Sequence, residues 1–283
     1  MSYTKLLDLK WGEQGEPADQ ILFLQVSREG LQVLVTTALR QPVLFQRIEF
    51  DKDSVEDDSV AALAAWLNEQ REFTRQWARL VIVHDCEQVV LIPAALYNVD
   101  NGKELLDVQY GDLFKGTMLT EQVNGRQDYT VYRISTDAFH HLATANVMTQ
   151  HRHLISLWLE WLDKIPAYQD GEIFILFQSS RIYLAVRKKE WQVVQQYEYQ
   201  QPEDISYYLL SALEQSGLDP ATVQLYYNGW INTDSSLYNE LNKYINDIHL
   251  APVPNGLLLP EDKLGDEPAH YFTPLIQMAS CAL

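Results

Sequence analysis

Apolar residues recur along this chain with two alternating periods. Ile21, Leu22, Phe23 and Leu24 run without interruption, as in a central strand covered on both faces. After Ser27-Arg28-Glu29-Gly30 the pattern alternates through Leu31, Val33 and Val35, breaks near Arg40-Gln41-Pro42, and resumes at Val43, Phe45, Ile48 and Phe50. This predicts a three-stranded meander. The acidic stretch Asp51 to Asp58 leads into Val60, Leu63, Ala64 and Leu67, one face of a helix, and Leu80 to Val83 predicts a buried fourth strand.

The same order returns after Asp170-Gly171. Ile173 to Phe177 is a continuous apolar run, Ser179-Ser180-Arg181 a turn, and Ile182, Leu184 and Val186 an alternating strand. Trp191, Val193, Tyr197 and Tyr199 predict a third strand, Ile205, Tyr208, Leu209 and Ala212 a helix face, and Val223, Leu225 and Tyr227 a fourth strand. Each half then offers a short helix, a fifth strand and a closing helix. These are Thr136 to Leu142, Asn146 to Met148 and His153 to Trp161 in the first half, and Ser235 to Ile245, Ile248 to Leu250 and Tyr271 to Ser280 in the second. A Pro- and Gly-containing loop, Ala251 to Pro268, precedes the last element, and Val89 to Tyr132 is an insertion in which Asn124-Gly125 reads as a two-residue hairpin turn. The expected domains are 1–167, with an insertion at about 89–132, and 168–283.

Composition narrows the function. Of 283 residues, 47% are hydrophobic, enough for a large core, while 39 Asp and Glu against 21 Lys and Arg give a net charge of −18. Residues 1–167 hold 15 basic and 24 acidic residues and 168–283 hold 6 and 15, so each half carries −9 and neither is a basic binding module. That charge opposes nucleic acid and anionic lipid as partners. Cys86 and Cys281 match no disulfide or metal spacing, Met1 to Gln20 is too charged for a signal peptide, and no apolar run is long enough to cross a bilayer. A cytoplasmic location is expected.

The duplicated strand-strand-strand-helix-strand order resembles the actin-like ATPase fold, an α/β architecture of two ribonuclease-H-like lobes, each a mixed five-stranded sheet with flanking helices. Within that fold the chain is similar to pilus-assembly and cell-division actin-like proteins. The stretch Val89-Val90-Leu91-Ile92-Pro93-Ala94-Ala95-Leu96-Tyr97 resembles an uncharacterised bacterial family with this fold. The resemblance implies a nucleotide cleft between lobes, with an Asp and a Gly-bearing turn after the first strand of each lobe and a glycine pair against the adenosine. Here the first strand ends Gln25-Val26-Ser27, Gly30 remains in its turn, and the only acid nearby in sequence is Glu29. The second lobe has Gln178-Ser179-Ser180-Arg181, with neither Asp nor Gly, and the glycine pair is Asn228-Gly229, followed by Trp230. Carried over residue by residue, Ser27, Gly30, Ser179, Ser180 and Arg181 would face phosphates, and Asn228 and Gly229 the nucleoside.

Other motifs carry less. Gly111 and Gly116 have phosphate-loop spacing but Thr117 stands where lysine is required. Asp51, Asp53, Asp57 and Asp58 lack the glycine of a calcium loop and fit a helix start. His151 and His153, with His140 and His141, lack a supporting acid or cysteine for a metal, and His84-Asp85 lacks a nucleophile for hydrolysis. Arg187-Lys188-Lys189 reads as a solvated hairpin tip. Sixteen tyrosines suit a protein-binding surface. The expectation is a non-catalytic actin-like protein working through a protein partner as an assembly or regulatory factor, without a cofactor or metal. The alternative is a nucleotide binder or weak ATPase using ATP with Mg, and the layout is compatible with a homo-oligomer.

Overall fold

The structure is a computed structural model and describes residues 3–13, 15–51, 58–70, 76–143, 149–167, 171–253, 259 and 264–282. The chain forms two compact units, Met1–Leu162 with Leu259–Leu264 and Met278–Leu283, and Asp163–Leu258 with Gly265–Gln277. The junction expected between residues 167 and 168 touches 168–170, which lie outside the described residues, as also do the acidic stretch 52–57, the strand expected at 146–148 and half of the 251–268 loop.

The first unit holds β1 (Tyr3–Lys10), β2 (Gln20–Ser27), β3 (Gly30–Thr37), β4 (Pro42–Phe50), α1 (Asp58–Glu69) and β5 (Arg79–Asp85). The insertion follows as β6 (Val89–Pro93), α2 (Val99–Tyr110), β7 (Thr117–Gln122) and β8 (Asp128–Ile134), then α3 (Thr136–Ala143), β9 (Thr149–His153) and α4 (Leu154–Leu162). The main sheet runs β1-β4-β3-β2-β5-β9, and the insertion is a separate sheet β6-β8-β7. The four expected strands that lie among the described residues are thus joined by β9 and by an edge strand, β1. β1 alternates too weakly to read as a strand, since Lys5, Asp8 and Lys10 interrupt it, but it needs only an edge and pairs antiparallel with β4 from Tyr3 opposite Phe50 to Lys10 opposite Leu44.

The second unit holds β10 (Glu172–Phe177), β11 (Arg181–Arg187), β12 (Trp191–Glu198), α5 (Pro202–Ser216), β13 (Gln224–Gly229), α6 (Ser236–Leu241) and β14 (Asp247–Leu250). α7 (Thr273–Cys281) closes the chain. The sheet order β12-β11-β10-β13-β14 repeats β4-β3-β2-β5-β9 of the first unit. β2 with β5 and β10 with β13 are parallel, which is why their residues are apolar on both faces. α5 shows why helices form where they do. Pro202 opens it, Gln201 and Asp204 cap each other's backbone reciprocally, and Gly217 ends it at φ 60° with its N–H on Leu213 and Glu214 carbonyls.

Each unit has its own core, Leu22, Leu24, Val33, Val35, Leu63 and Trp66 among the residues of one and Ile173, Ile175, Leu184, Ile205, Leu209 and Leu225 of the other. Trp191 opens β12, the third strand, as the pattern predicts, but it does not share the face of Val193. The ladder shifts between Val186 opposite Val193 and Arg187 opposite Trp191, a bulge that turns Trp191 away from the α5 face. Trp191 lies against Phe174 and over the Arg187 guanidinium instead. Among the described residues, no helix is long and apolar enough to cross a membrane.

Candidate functional site

In each unit the end of the first parallel strand and its neighbour form one rim. In the first, Ser27 ends β2 opposite Asp85 of β5, and Val26 lies opposite His84. The Ser27 hydroxyl oxygen is 3.2 Å from both the Gly30 N–H, which donates to it, and the Gly30 carbonyl, so this turn is closed on itself. Gly30 has a steric duty, since a Cβ there would sit 2.0 Å from the Ile48 carbonyl oxygen. The Phe50 N–H donates to the Glu29 carbonyl at 2.8 Å, fastening the turn to β4.

Asp85 is the residue that reading along the chain leaves out of this turn. It is 3% exposed and accepts a hydrogen bond from Gln25 Nε2 at 3.3 Å. Its one signal in the sequence is its place at the end of the Leu80–Val83 run; the register that brings it beside Ser27 is tertiary. His84, its neighbour, points to the other face of the strand. Its Nε2 is 2.9 Å from His151 Nδ1, and the two rings stack with centroids 5.2 Å apart. His84 and Asp85 therefore form no hydrolytic dyad. Burial, and then the nearby His151 and His153, hold the His84 pKa well below 6.5, and burial lowers that of His151. Tyr132 of β8 packs 5.6 Å from His84 and 4.9 Å from His153, its hydroxyl pushed well above its ordinary pKa by burial and then by Glu121 and Cys86. Among the described residues no group of three or more His, Cys, Asp or Glu is arranged to hold a metal ion.

Beneath these rings a buried ionic network ties the insertion to the main sheet. Arg152 of β9 bonds Glu121 of β7 and Glu160 of α4, and the His153 N–H donates to Glu121. Glu160 also accepts the Asn124 N–H at 2.8 Å and Nδ2 at 3.2 Å. Asn124-Gly125 does make a turn between β7 and β8, with φ 77° at Gly125, but it is longer than two residues, because the Val123 N–H still pairs with the Asp128 carbonyl.

In the second unit the Gln178 N–H reaches the Arg181 carbonyl at 2.9 Å around Ser179 and Ser180, a two-residue turn. Tyr199 secures it, its N–H on the Ser180 carbonyl at 3.1 Å and its hydroxyl on the Gln178 carbonyl at 3.2 Å. Arg181 is buried, at 2% exposure. Gly229, at φ 89°, lies opposite Phe177, where a Cβ would be 2.1 Å from the Phe177 carbonyl oxygen. Asn228 is buried beside it. The parallel pairing thus brings Asn228 and Gly229 next to the Ser179-Ser180 turn, while Ser27 and Gly30 belong to the first unit. Trp230 packs on Tyr271 at 4.8 Å and Phe272 at 6.4 Å, an aromatic group that continues to His270, whose Nε2 is 2.7 Å from the Ile231 carbonyl oxygen. Gly111 is the C-terminal cap of α2 and Gly116 abuts the Ile134 carbonyl, so neither forms a phosphate loop. Arg187, read as part of a solvated tip, is buried, pairing with Glu172 at 2.7 Å and donating to the Ile165 carbonyl, because the bulge at Trp191 folds an aromatic cover over it.

Two sheets of repeated strand order, each with a closing turn beside a parallel strand end, define an actin-like ATPase fold, and solved structures bear this out. A Bacteroides thetaiotaomicron VPI-5482 protein with an actin-like ATPase fold and unknown function superposes with a TM-score of 0.75 over 83% of this chain and 92% of its own, at 15% identity. A chain of the PilM–PilN type IV pilus biogenesis complex matches with a TM-score of 0.57 over 93% and 97%, at 12% identity. The chain belongs to the family described as protein of unknown function (DUF3822), which it matches over residues 12–248. No curated protein matches it.

Proposed function

We propose that the protein is a non-catalytic member of the actin-like fold that works in the cytoplasm through a protein partner, as an assembly or regulatory factor. The observation that carries this reading is the closure of both turns by the protein's own groups. The Gly30 amide is taken by Ser27, the Ser179-Ser180 turn is fastened by Tyr199, and Arg181 is buried. A phosphate needs such amides and cations turned outward. The PilM–PilN complex supplies a precedent in which a protein of this fold engages a protein partner.

A second reading, binding of ATP with Mg, draws on Asp85 beside Ser27, a buried carboxylate at a strand end. A ligand that prefers the folded state raises its melting temperature by mass action. With Mg-ATP or Mg-ADP at about a thousand times a micromolar dissociation constant, binding would add about 4 kcal/mol. We expect no shift in melting temperature. A clear rise that Asp85→Asn removes, with the fold intact, would replace the first reading by the second.

A further inference from the structure

Sheet edges in this protein are blunted, with one exception among the described residues. β1 carries Lys5, Asp8 and Lys10, β7 carries Glu121, β6 ends in Pro93, β9 is five residues long with Arg152, and β14 is four residues opening on Asp247. Charge, proline and short length are the means by which edge strands avoid joining other strands. β12 is eight residues long and reads Trp-Gln-Val-Val-Gln-Gln-Tyr-Glu, without proline or glycine and with its one charge, Glu198, at the last position. The run from Trp191 through Tyr197 is the longest uncharged stretch on these edges.

The first unit holds a strand at the corresponding edge. In β4 the ladder to β3 shifts between Val35 opposite Leu44 and Thr36 opposite Pro42, and in β12 the ladder to β11 shifts between Val186 opposite Val193 and Arg187 opposite Trp191. The same bulge therefore opens both third strands. Beyond it, Leu44 to Phe50 takes β1 as an antiparallel neighbour. The matching stretch Val193 to Tyr199 has a strand on one side only among the described residues.

We propose that the outer edge of β12 is a self-association surface, pairing antiparallel with β12 of a second copy so that two five-stranded sheets become one. Side chains alternate between faces, so a two-fold axis through the sheet keeps the helix-covered faces together only if one residue lies opposite its own copy. Centring on Gln196 uses the whole regular stretch. Gln195 then faces Tyr197 of the second copy, Val194 faces Glu198, and Val193 faces Tyr199, with no like charges opposed. The two ends of the strand differ in charge. The β11–β12 turn bears Lys188, Lys189 and Glu190, net positive by one charge, and the junction with α5 bears exposed Glu198 and Glu203. Turned end for end, each positive end meets a negative one, which favours a second copy over a foreign strand.

Tyr199, which also fastens the Ser179-Ser180 turn, is where this edge meets the strand ends of the nucleotide question; Gln196 lies away from them, so its variants test the edge by itself. Sedimentation of the full chain over a concentration series reaching about 100 µM tests it, a range that captures modest affinity. We expect a dimer. Gln196→Glu and Gln196→Lys each set like charges opposite one another and raise the dissociation constant about fivefold or more, while mixing the two variants restores the dimer. In the wild-type chain, amides within Val193–Tyr199 exchange more slowly at high than at low concentration. A monomer throughout, a dimer that both variants leave intact, or exchange in this stretch independent of concentration overturns the proposal.

Discussion

At the rim of the first unit the residue opposite Val26, one before the end of β2, is a buried histidine, while at the equivalent place in the second, opposite Phe177, it is Gly229. Strand order, parallel register and even the bulge before the third strand are shared, so the backbone does not decide this difference. What decides it is the space beyond the strand. In the first unit β8 and β9 bring Tyr132, His151 and His153 over His84, filling that space with rings. In the second the chain turns at once, the Trp230 N–H returning to the Phe177 carbonyl at 3.0 Å, which leaves no room for a Cβ. One frame thus carries a ring-packed rim and a bare backbone rim. A repeated fold fixes where strands end and leaves the chemistry there to the elements that follow.

The strongest way to break this comparison is through the buried ion pairs, which differ in depth. Glu172, paired with Arg187, is fully buried, whereas Glu121, which shares Arg152 with Glu160, keeps some exposure. Glu172→Ala removes a fully buried charge partner and should cost about 3–5 kcal/mol in urea unfolding. Glu121→Ala should cost clearly less, because Glu160 still balances Arg152; equal losses would remove the distinction. Next in size are the glycines. Gly30→Ala and Gly229→Ala each force a Cβ into a neighbouring carbonyl and should each cost about 2–3 kcal/mol, read as loss of melting temperature. A Gly229→Ala protein of unchanged stability would mean that the second rim is not held as tightly as its geometry implies.

The smallest effect is on pH. The folded pKa values of His84 and His151 lie below their ordinary 6.5, so between that value and the folded ones the unfolded chain binds protons that the folded chain does not. Stability is therefore full above about pH 6.5 and falls on acidification, by at most about 1.4 kcal/mol per pH unit for each group. His270 adds the same sign in the second unit. His84→Gln should flatten the fall in melting temperature between neutral and mildly acidic pH more than His270→Gln does. The reverse order would shift the acid sensitivity to the second unit.

Much of this architecture can be read from local patterns. Continuous apolar runs at Ile21–Leu24 and Ile173–Phe177 announce parallel central strands, and the helix face Ile205, Tyr208, Leu209 and Ala212 lies within α5. β1 escapes such reading, because an edge strand needs few apolar positions and its partner lies far along the chain. The face of Trp191 is hidden for a related reason, since a single bulge reverses it. The turns Ser27 to Gly30 and Ser179 to Arg181 are visible as sequence, yet their closure by Ser27 and Tyr199 depends on folded geometry.

Sequence by itself determined the duplicated strand order, the two apolar cores and the acidic charge, because periodicity and composition act over neighbouring residues. Tertiary structure alone decided that Asp85 stands beside Ser27, that Arg187 is buried rather than solvated, and that β4 is covered while β12 has, among the described residues, a strand on one side only. Each of these is a pairing between segments distant in the chain. Registers and bulges set such pairings, and a shift of one residue moves every side chain to the other face.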